Sequence, residues 1–335
     1  MGLVESVRVM PNRTMRSLFI SLSHRQSLAR MAVASPLTRS VVSRFVAGET
    51  LDDGIAAIAR LQRAGLHSTV DVLGESVTSP ELASVAADRY VAALAALSAR
   101  GVDANVSIKL TQMGLDIDRN LCRANVSRIL GAARAVDGFV RIDMEDHVQT
   151  DATLEIWREA HERYPRTGIV IQSALRRSAA DVDRVSAVGG SVRLCKGAYA
   201  ESAGVAYVTK RAVDLNYARL MERLLISGTY PAIATHDPSL IAHAIEIAER
   251  RRIGPERFEF QMLYGIRRDL QRSLVARGYT VRIYVPYGEE WYPYFMRRLA
   301  ERPANVAFML RAILKDRGRG VKPRRPAGEA NLTRD

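Results

Sequence analysis

Charged and hydroxyl-bearing side chains recur near the ends of short β-branched runs, where an apolar interior should exclude them. Lys109 lies in NVSIKLT (105–111), Asp143 and Glu145 in FVRIDME (139–145) with Asp146 just beyond, and Gln172 in GIVIQSA (168–174). Arg193 and Lys196 lie in SVRLCKG (191–197), Thr235 and His236 in AIATHD (232–237), Gln261 in FEFQML (258–263), and Tyr284 and Tyr287 in VRIYVPYG (281–288). Isolated buried charges are costly, so these residues must be paired or functional. The stretch YFMRRLAER (294–302) reads as a helix that sets Tyr294, Arg297 and Arg298 on one side at spacings of three and four. Guanidinium forks match carboxylate geometry. With Lys109 they would leave an excess of cation, suited to a small carboxylate substrate or a phosphate-bearing cofactor.

Other chemistries fit parts of this set. Lys109 and Asp143 could form a structural ion pair. DMEDH (143–147) has the composition of a metal site, but consecutive strand residues point to opposite faces and cannot all converge, so no metal is expected. His236 alone reads as a satisfied core histidine, and the arginine pair alone as a solvated helix face. Lys109 or Lys196, its pKa depressed by burial, could be the Schiff-base nucleophile of an aldolase. A nucleic-acid-binding protein would use the net charge of +13, but it leaves the strand-end charges unexplained, and no nucleic acid is expected.

The elements that must position these residues are eight strands, the runs above together with STVDVLG (68–74), each followed by an amphipathic stretch long enough for a helix. Such alternation implies a parallel sheet. Eight units over about 250 residues is the size of a (β/α)8 barrel, whose active site lies at the C-terminal ends of the strands. A doubly wound sheet would want a GxGxxG turn after an early strand, and none occurs. Residues 1–60 read as an N-terminal helical segment, with Thr50 or Asp52 as a cap; 61–315 form the barrel; and 316–335 read as a basic, disordered tail.

Of the chain's 335 residues 47% are apolar, enough for a large core. Two cysteines, Cys122 and Cys195, exclude a disulfide framework or zinc site and suit a reducing compartment. No apolar run reaches the roughly 18 residues of a membrane span, and YVAALAALSA, after Arg89, reads as a buried helix. The first 48 residues, Arg-rich with the single acid Glu5, lack signal-peptide order; they suit a helical extension better than a transit peptide. The basic balance suggests an anionic neighbour, although arginine-rich coding bias alone explains much of it.

The segments VSIKLTQMG, RIDMEDH, IVIQSALRRS, VRLCKGAYAES, ATHD, FEFQMLYG and RIYVPYGEEWYPYFMRRLAER, in this order from about residue 67 to 302, resemble proline dehydrogenase in its short monofunctional bacterial form. The resemblance implies a distorted (β/α)8 TIM-type barrel that holds FAD without a Rossmann fold. It implies oxidation of L-proline to 1-pyrroline-5-carboxylate, with hydride passing from proline C5 to flavin N5 and electrons then to a quinone. Lys109, Arg297 and Arg298 would hold the proline carboxylate. Tyr284, Tyr294 and Leu263 would pack around the ring, with Tyr199 against the same pocket. Asp143 would position Lys109 and the pocket, Arg193 would sit near flavin N5, and Glu301 would pair with an arginine. Met144, Gln172, Lys196, Gly197, Ala198, Thr235 and His236 match flavin-contacting positions. The resemblance further implies a cytoplasmic protein, peripheral at the inner face of a bacterial plasma membrane, whose product a pyrroline-5-carboxylate dehydrogenase would consume. Two positions depart from the family's usual pattern: Ala200 stands where an aromatic is common after KGAY, and Asp237 where THN is common.

Overall fold

The structure, a computed structural model, describes residues 42–199 and 201–301, the last five as backbone only. Its strands are β1 (His67–Val72), β2 (Asn105–Ile108), β3 (Phe139–Ile142), β4 (Thr167–Gln172), β5 (Val192–Cys195), β6 (Ala232–Ala234), β7 (Glu259–Leu263) and β8 (Val281–Tyr287). Each pairs in parallel with its neighbour in sequence, and β8 returns to β1 with Thr69 opposite Tyr284, closing a barrel. The eight expected runs supply these eight strands.

Helix α1 (Leu51–Arg63) precedes the barrel. The strands are then joined by α2 (Pro80–Ala99), α3 (Arg119–Ala135), α4 (Thr150–Arg163), α5 (Ser178–Ala187), α6 (Lys210–Ser227), α7 (Pro238–Arg251) and α8 (Arg268–Ala276); α9 (Trp291–Glu301) follows β8. Local chemistry sets their starts. Thr50, not Asp52, caps α1 through a reciprocal box with Asp53. Ser79 accepts from Leu82 N with Pro80 in the first turn of α2.

Residues Ser43–Trp291 form one compact unit, so α1, which packs on β1 and β8, belongs with the barrel. Residues 1–42 and 292–335 form a second unit, of which only Val42 and Tyr292–Glu301 are described. The expected tail, 316–335, and most of the N-terminal segment lie outside the described residues.

The apolar stretch after Arg89 lies on α2 with Tyr90, Ala93, Leu94 and Leu97 buried, as expected. Helix α2 is 20 residues long with a mean hydropathy of 1.3 over its most apolar window, enough by length and composition to span a membrane. In this fold it wraps the barrel instead. Ala83, Ala87, Leu94 and Leu97 are buried, and the buried Tyr90 hydroxyl bonds to the Val72 backbone and to Gln112.

Alternate residues of each strand face opposite ways. One set, including Val106, Ile108, Val140, Ile142, Ile169 and Leu194, forms the apolar core. Burying each such side chain stabilises by about 1.5–3 kcal/mol. The other set lines a polar barrel interior. Near the N-terminal ends of the strands, Arg282 Nε lies 3.0 and 3.1 Å from the two carboxylate oxygens of Glu259. Burial alone would raise the Glu259 pKa, but Arg282 more than offsets it and holds the group below the ordinary value. Arg141 donates to the Ser191 carbonyl at 2.6 Å, and burial, reinforced by the nearby Arg193 charge, pulls its pKa down to about 9. Gln261, expected near the strand ends, is directed to this floor, where it donates to Glu259. Tyr287, also expected there, packs beside Gly54 of α1.

Candidate active site

At the C-terminal side of the strands four charges meet. Lys109 Nζ donates to Asp71 Oδ1 at 2.7 Å and to the Tyr284 hydroxyl at 3.4 Å, and lies 3.9 Å from Asp143 Oδ2. Asp143 accepts from Arg193 Nη1 at 2.8 Å and from the Tyr284 hydroxyl at 2.7 Å. The Arg193 guanidinium stacks over the Tyr284 ring, 5.2 Å from its centroid, and its Nη2 donates to Ser107 Oγ at 2.8 Å. Asp71 is fully buried, while the side chains of Lys109 and Asp143 are each 12% exposed, so one side of the cluster remains accessible.

Burial pushes the Asp71 carboxyl upward, reinforced by the Asp143 charge, and the Lys109 cation opposes that rise. Burial is the largest influence on Lys109 and opposes its charge, yet Asp71 and Asp143 together more than offset it, so the amine stays above its ordinary value. Burial and the two carboxylates push the Tyr284 phenol far upward, so it remains a donor. A lysine held this way is a cation, not the neutral amine that a Schiff-base aldolase needs.

One expectation changes. The nearest partner of Lys109 is Asp71, which the strand-end inventory omitted; its signal was a lone carboxylate inside the otherwise uncharged run STVDVL. Among the described residues the cluster balances, with Lys109 and Arg193 against Asp71 and Asp143; the excess of cation expected from Lys109 with Arg297 and Arg298 rests on side chains outside the described residues.

A second group lies around the ends of β4–β7. Lys196 Nζ is 2.6 Å from Asp214 and 3.1 Å from Asp237, and Lys210 also pairs with Asp214. Gln172 donates to the carbonyls of Glu145 at 2.6 Å and Met144 at 3.4 Å. His236 Nε2 accepts from Leu263 N at 2.9 Å, and Thr235 Oγ1 accepts from Asp237 N at 3.1 Å. Gly197 has φ of 107°, and a Cβ there would stand 2.7 Å from Gln172 Oε1. Ala198 and Tyr199 follow it in the loop after β5.

The DMEDH stretch disperses. Glu145 turns to Thr111, accepting from its N at 3.0 Å and its hydroxyl at 2.5 Å. Asp146 caps the short turn His147–Gln149, and His147 pairs with Glu201. No triple of metal-ligating side chains converges among the described residues. Tyr294 lies on the α9 segment of the second unit, and the side chains of Arg297, Arg298 and Glu301 lie outside the described residues.

These residues suit an anionic cofactor. Arg193 Nε is buried with no hydrogen-bond partner among the described residues, Lys196 supplies a second cation, and the side-chain-free backbone at Gly197 permits close approach. A model of the proline dehydrogenase family matches residues 55–311. The chain belongs to the proline dehydrogenase family.

It is 42% identical to Proline dehydrogenase 1 of Bacillus subtilis (strain 168) over 301 residues, covering 90% of this chain and 99% of that one. It is 43% identical to Proline dehydrogenase of Deinococcus radiodurans over 281 residues, covering 82% and 91%. Its fold is similar to the crystal structure of proline utilization A (PutA) from Bdellovibrio bacteriovorus inactivated by N-propargylglycine, with a TM-score of 0.74 at 25% identity. That alignment covers 88% of this chain and only 37% of the longer protein. The chain is accordingly an oxidoreductase of proline catabolism, in a family of flavoenzymes.

Proposed function

We propose that this chain oxidises L-proline to 1-pyrroline-5-carboxylate with bound FAD and passes the electrons to a quinone. The observation that carries the reading is the balanced cluster of Lys109, Asp71, Asp143, Arg193 and Tyr284 at the C-terminal side of a closed barrel. FAD, when bound, supplies the two-electron acceptor for the hydride of proline C5.

Each residue has a task that follows from its surroundings. Lys109, kept cationic by Asp71, binds the substrate carboxylate, and the family resemblance gives Arg297 and Arg298 the same work. Such a clamp fixes C5 in a near-attack orientation. Tyr284 is held as a phenol by Asp143, and the family resemblance gives its ring, with Leu263, Tyr199 and Tyr294, the work of packing around the pyrrolidine. Asp143 also orients Arg193, which with its open Nε would stand near the cofactor's reactive edge when FAD is bound. Lys196, Gly197, Ala198, Met144, Gln172, Thr235 and His236 hold the cofactor.

Reaction needs the substrate amine unprotonated. Because the described charges cancel, the cationic bias that lowers the bound ammonium's pKa falls to Arg297 and Arg298. Activity should therefore rise with pH, and a rate flat from about pH 6 to 9 would contradict this bias.

A quinone acceptor resides in lipid, so the protein works at the inner face of the plasma membrane, drawn there by its net charge of +13. A cytoplasmic pyrroline-5-carboxylate dehydrogenase would consume the product. The test is an absorbance spectrum of the purified protein, repeated after adding L-proline without oxygen. Bleaching of a yellow flavin spectrum is expected. A colourless protein that fails to take up added FAD would overturn the reading.

A further inference from the structure

We propose that Ser107 is a positioning residue for Arg193, setting which edge of the guanidinium is turned to the cofactor. This rests on the reading above, in which Arg193 faces the flavin.

Arg193 rises from β5 and is gripped from two other strands. Asp143, just past β3, takes Nη1 at 2.8 Å, and Ser107 on β2 takes Nη2 at 2.8 Å. The Tyr284 ring on β8 supports the flat face. Two acceptors on different strands fix the fork in its own plane, and the ring fixes its tilt. What remains is Nε, buried and without a hydrogen-bond partner among the described residues. With Asp143 as the sole tether the guanidinium would pivot about one contact, and Nε would lose its direction.

The choice of a hydroxyl has a physical reason. Ser107 is fully buried, two residues before Lys109, and so lies one layer below it on the same face of β2. A carboxylate at this depth would add a third negative charge to a cluster that already balances. A hydroxyl accepts from Arg193 without cancelling its charge, and Ser107 Oγ also lies 3.3 Å from Thr69 Oγ1, where either hydroxyl can donate. Arg193 therefore keeps its cationic character toward the cofactor while its orientation is set. Hydrogen bonds to charged groups contribute more than neutral ones, which makes this contact a strong tether.

The test uses the FAD-loaded enzyme with Ser107→Cys, nearly isosteric but a poor acceptor, and Ser107→Thr, which keeps the hydroxyl on a β-branched frame suited to a strand. Midpoint potential, melting temperature and steady-state kinetics are measured for both. Ser107→Cys should lower the potential by about 30 mV, equivalent to a tenfold weaker preference for the reduced cofactor in a two-electron couple. It should lower kcat more than it changes KM, while Ser107→Thr stays near the wild-type potential. An unchanged potential in Ser107→Cys would overturn the proposal, as would equal shifts in both variants, which mark a packing effect. Arg193→Lys separates the two levels. If it leaves the potential unmoved, the reading that Arg193 faces the flavin fails; if it shifts the potential and Ser107→Cys does not, only the role of Ser107 fails.

Discussion

Asp71→Asn isolates the support of Lys109. The change is isosteric, keeps an acceptor oxygen and removes the charge of a fully buried carboxylate 2.7 Å from a largely buried amine. Removing one partner of a buried ion pair costs about 3–5 kcal/mol, because the other charge is left unpaired. Here Asp143, 3.9 Å from the same amine, retains part of the attraction, so the expected cost is about 2–3 kcal/mol. For a chain of this size a melting temperature lowered by roughly 3–6 °C follows. The sign with pH is fixed by the raised pKa of Lys109: its contribution is whole below the ordinary lysine value, about 10.4, and is lost only as pH rises beyond it. Assays between about pH 6 and 9 therefore see the full effect. With Asp71 neutral, Lys109 is drawn toward Asp143 and competes with the Tyr284 hydroxyl for Oδ2. We expect KM for L-proline to rise about tenfold, a loss of about 1.4 kcal/mol, with a smaller change in kcat. Thermal melts and steady-state kinetics on the holoenzyme decide it. A variant with wild-type KM and a melting point within about a degree would refute the claim that Asp71 supports the clamp.

Three further predictions address neighbouring groups. Burial raises the Glu145 pKa to about 7 against the opposing bonds from Thr111, so its stabilising contribution is present at low pH and lost as pH rises from about 4.5 through 7. Glu145→Gln should flatten the fall in urea midpoint between pH 5 and 8, a difference of up to about 3 kcal/mol; equal slopes in both proteins would exclude it. Asp237→Asn removes one of the two carboxylates competing for Lys196 while leaving an equally good cap on α7, so FAD should bind the apoprotein severalfold more tightly in a fluorescence titration, and weaker binding would contradict the competition. Gly197→Ala places a methyl beside Gln172 at a left-handed φ, and should cost about 1–2 kcal/mol of stability and about tenfold in FAD affinity; retention of wild-type affinity would show that the backbone there makes no close approach.

The barrel was legible because its strands are short β-branched runs at regular spacing, and Ser79–Pro80 announced a helix by local chemistry alone. Most site residues were legible because charge is conspicuous at a strand end. What escaped lies inside the strands. Asp71 in STVDVL and Ser107 in NVSI read as the polar half of a half-buried strand, a pattern that does not tell solvent from a polar barrel interior. Glu259, Arg282 and Arg141 escaped likewise, since their partners are set by which residues of separate strands point into the barrel at the same level. Asp71 brings the described part of the cluster from one net positive charge to none, while Arg297 and Arg298, on which the expected excess rested, have side chains outside the described residues. The two carboxylate partners of Lys196, Asp214 near the start of α6 and Asp237 at the start of α7, come from separate helices whose convergence no spacing reveals.

The polar floor of the barrel acts as a checksum on its closure. Arg282 of β8 reaches Glu259 on β7, the Ser68 carbonyl on β1 and Asp103 ahead of β2, and so tests the seam where the last strand meets the first. A slip of one residue in β8 would turn Arg282 into the apolar shell beneath the helices and strand Glu259 without its cation. Misregistered closures thus carry a charge error as well as a packing error, and an apolar interior of the same volume would penalise only the second. The sheet that presents the charged cluster at one end is proofread for register at the other.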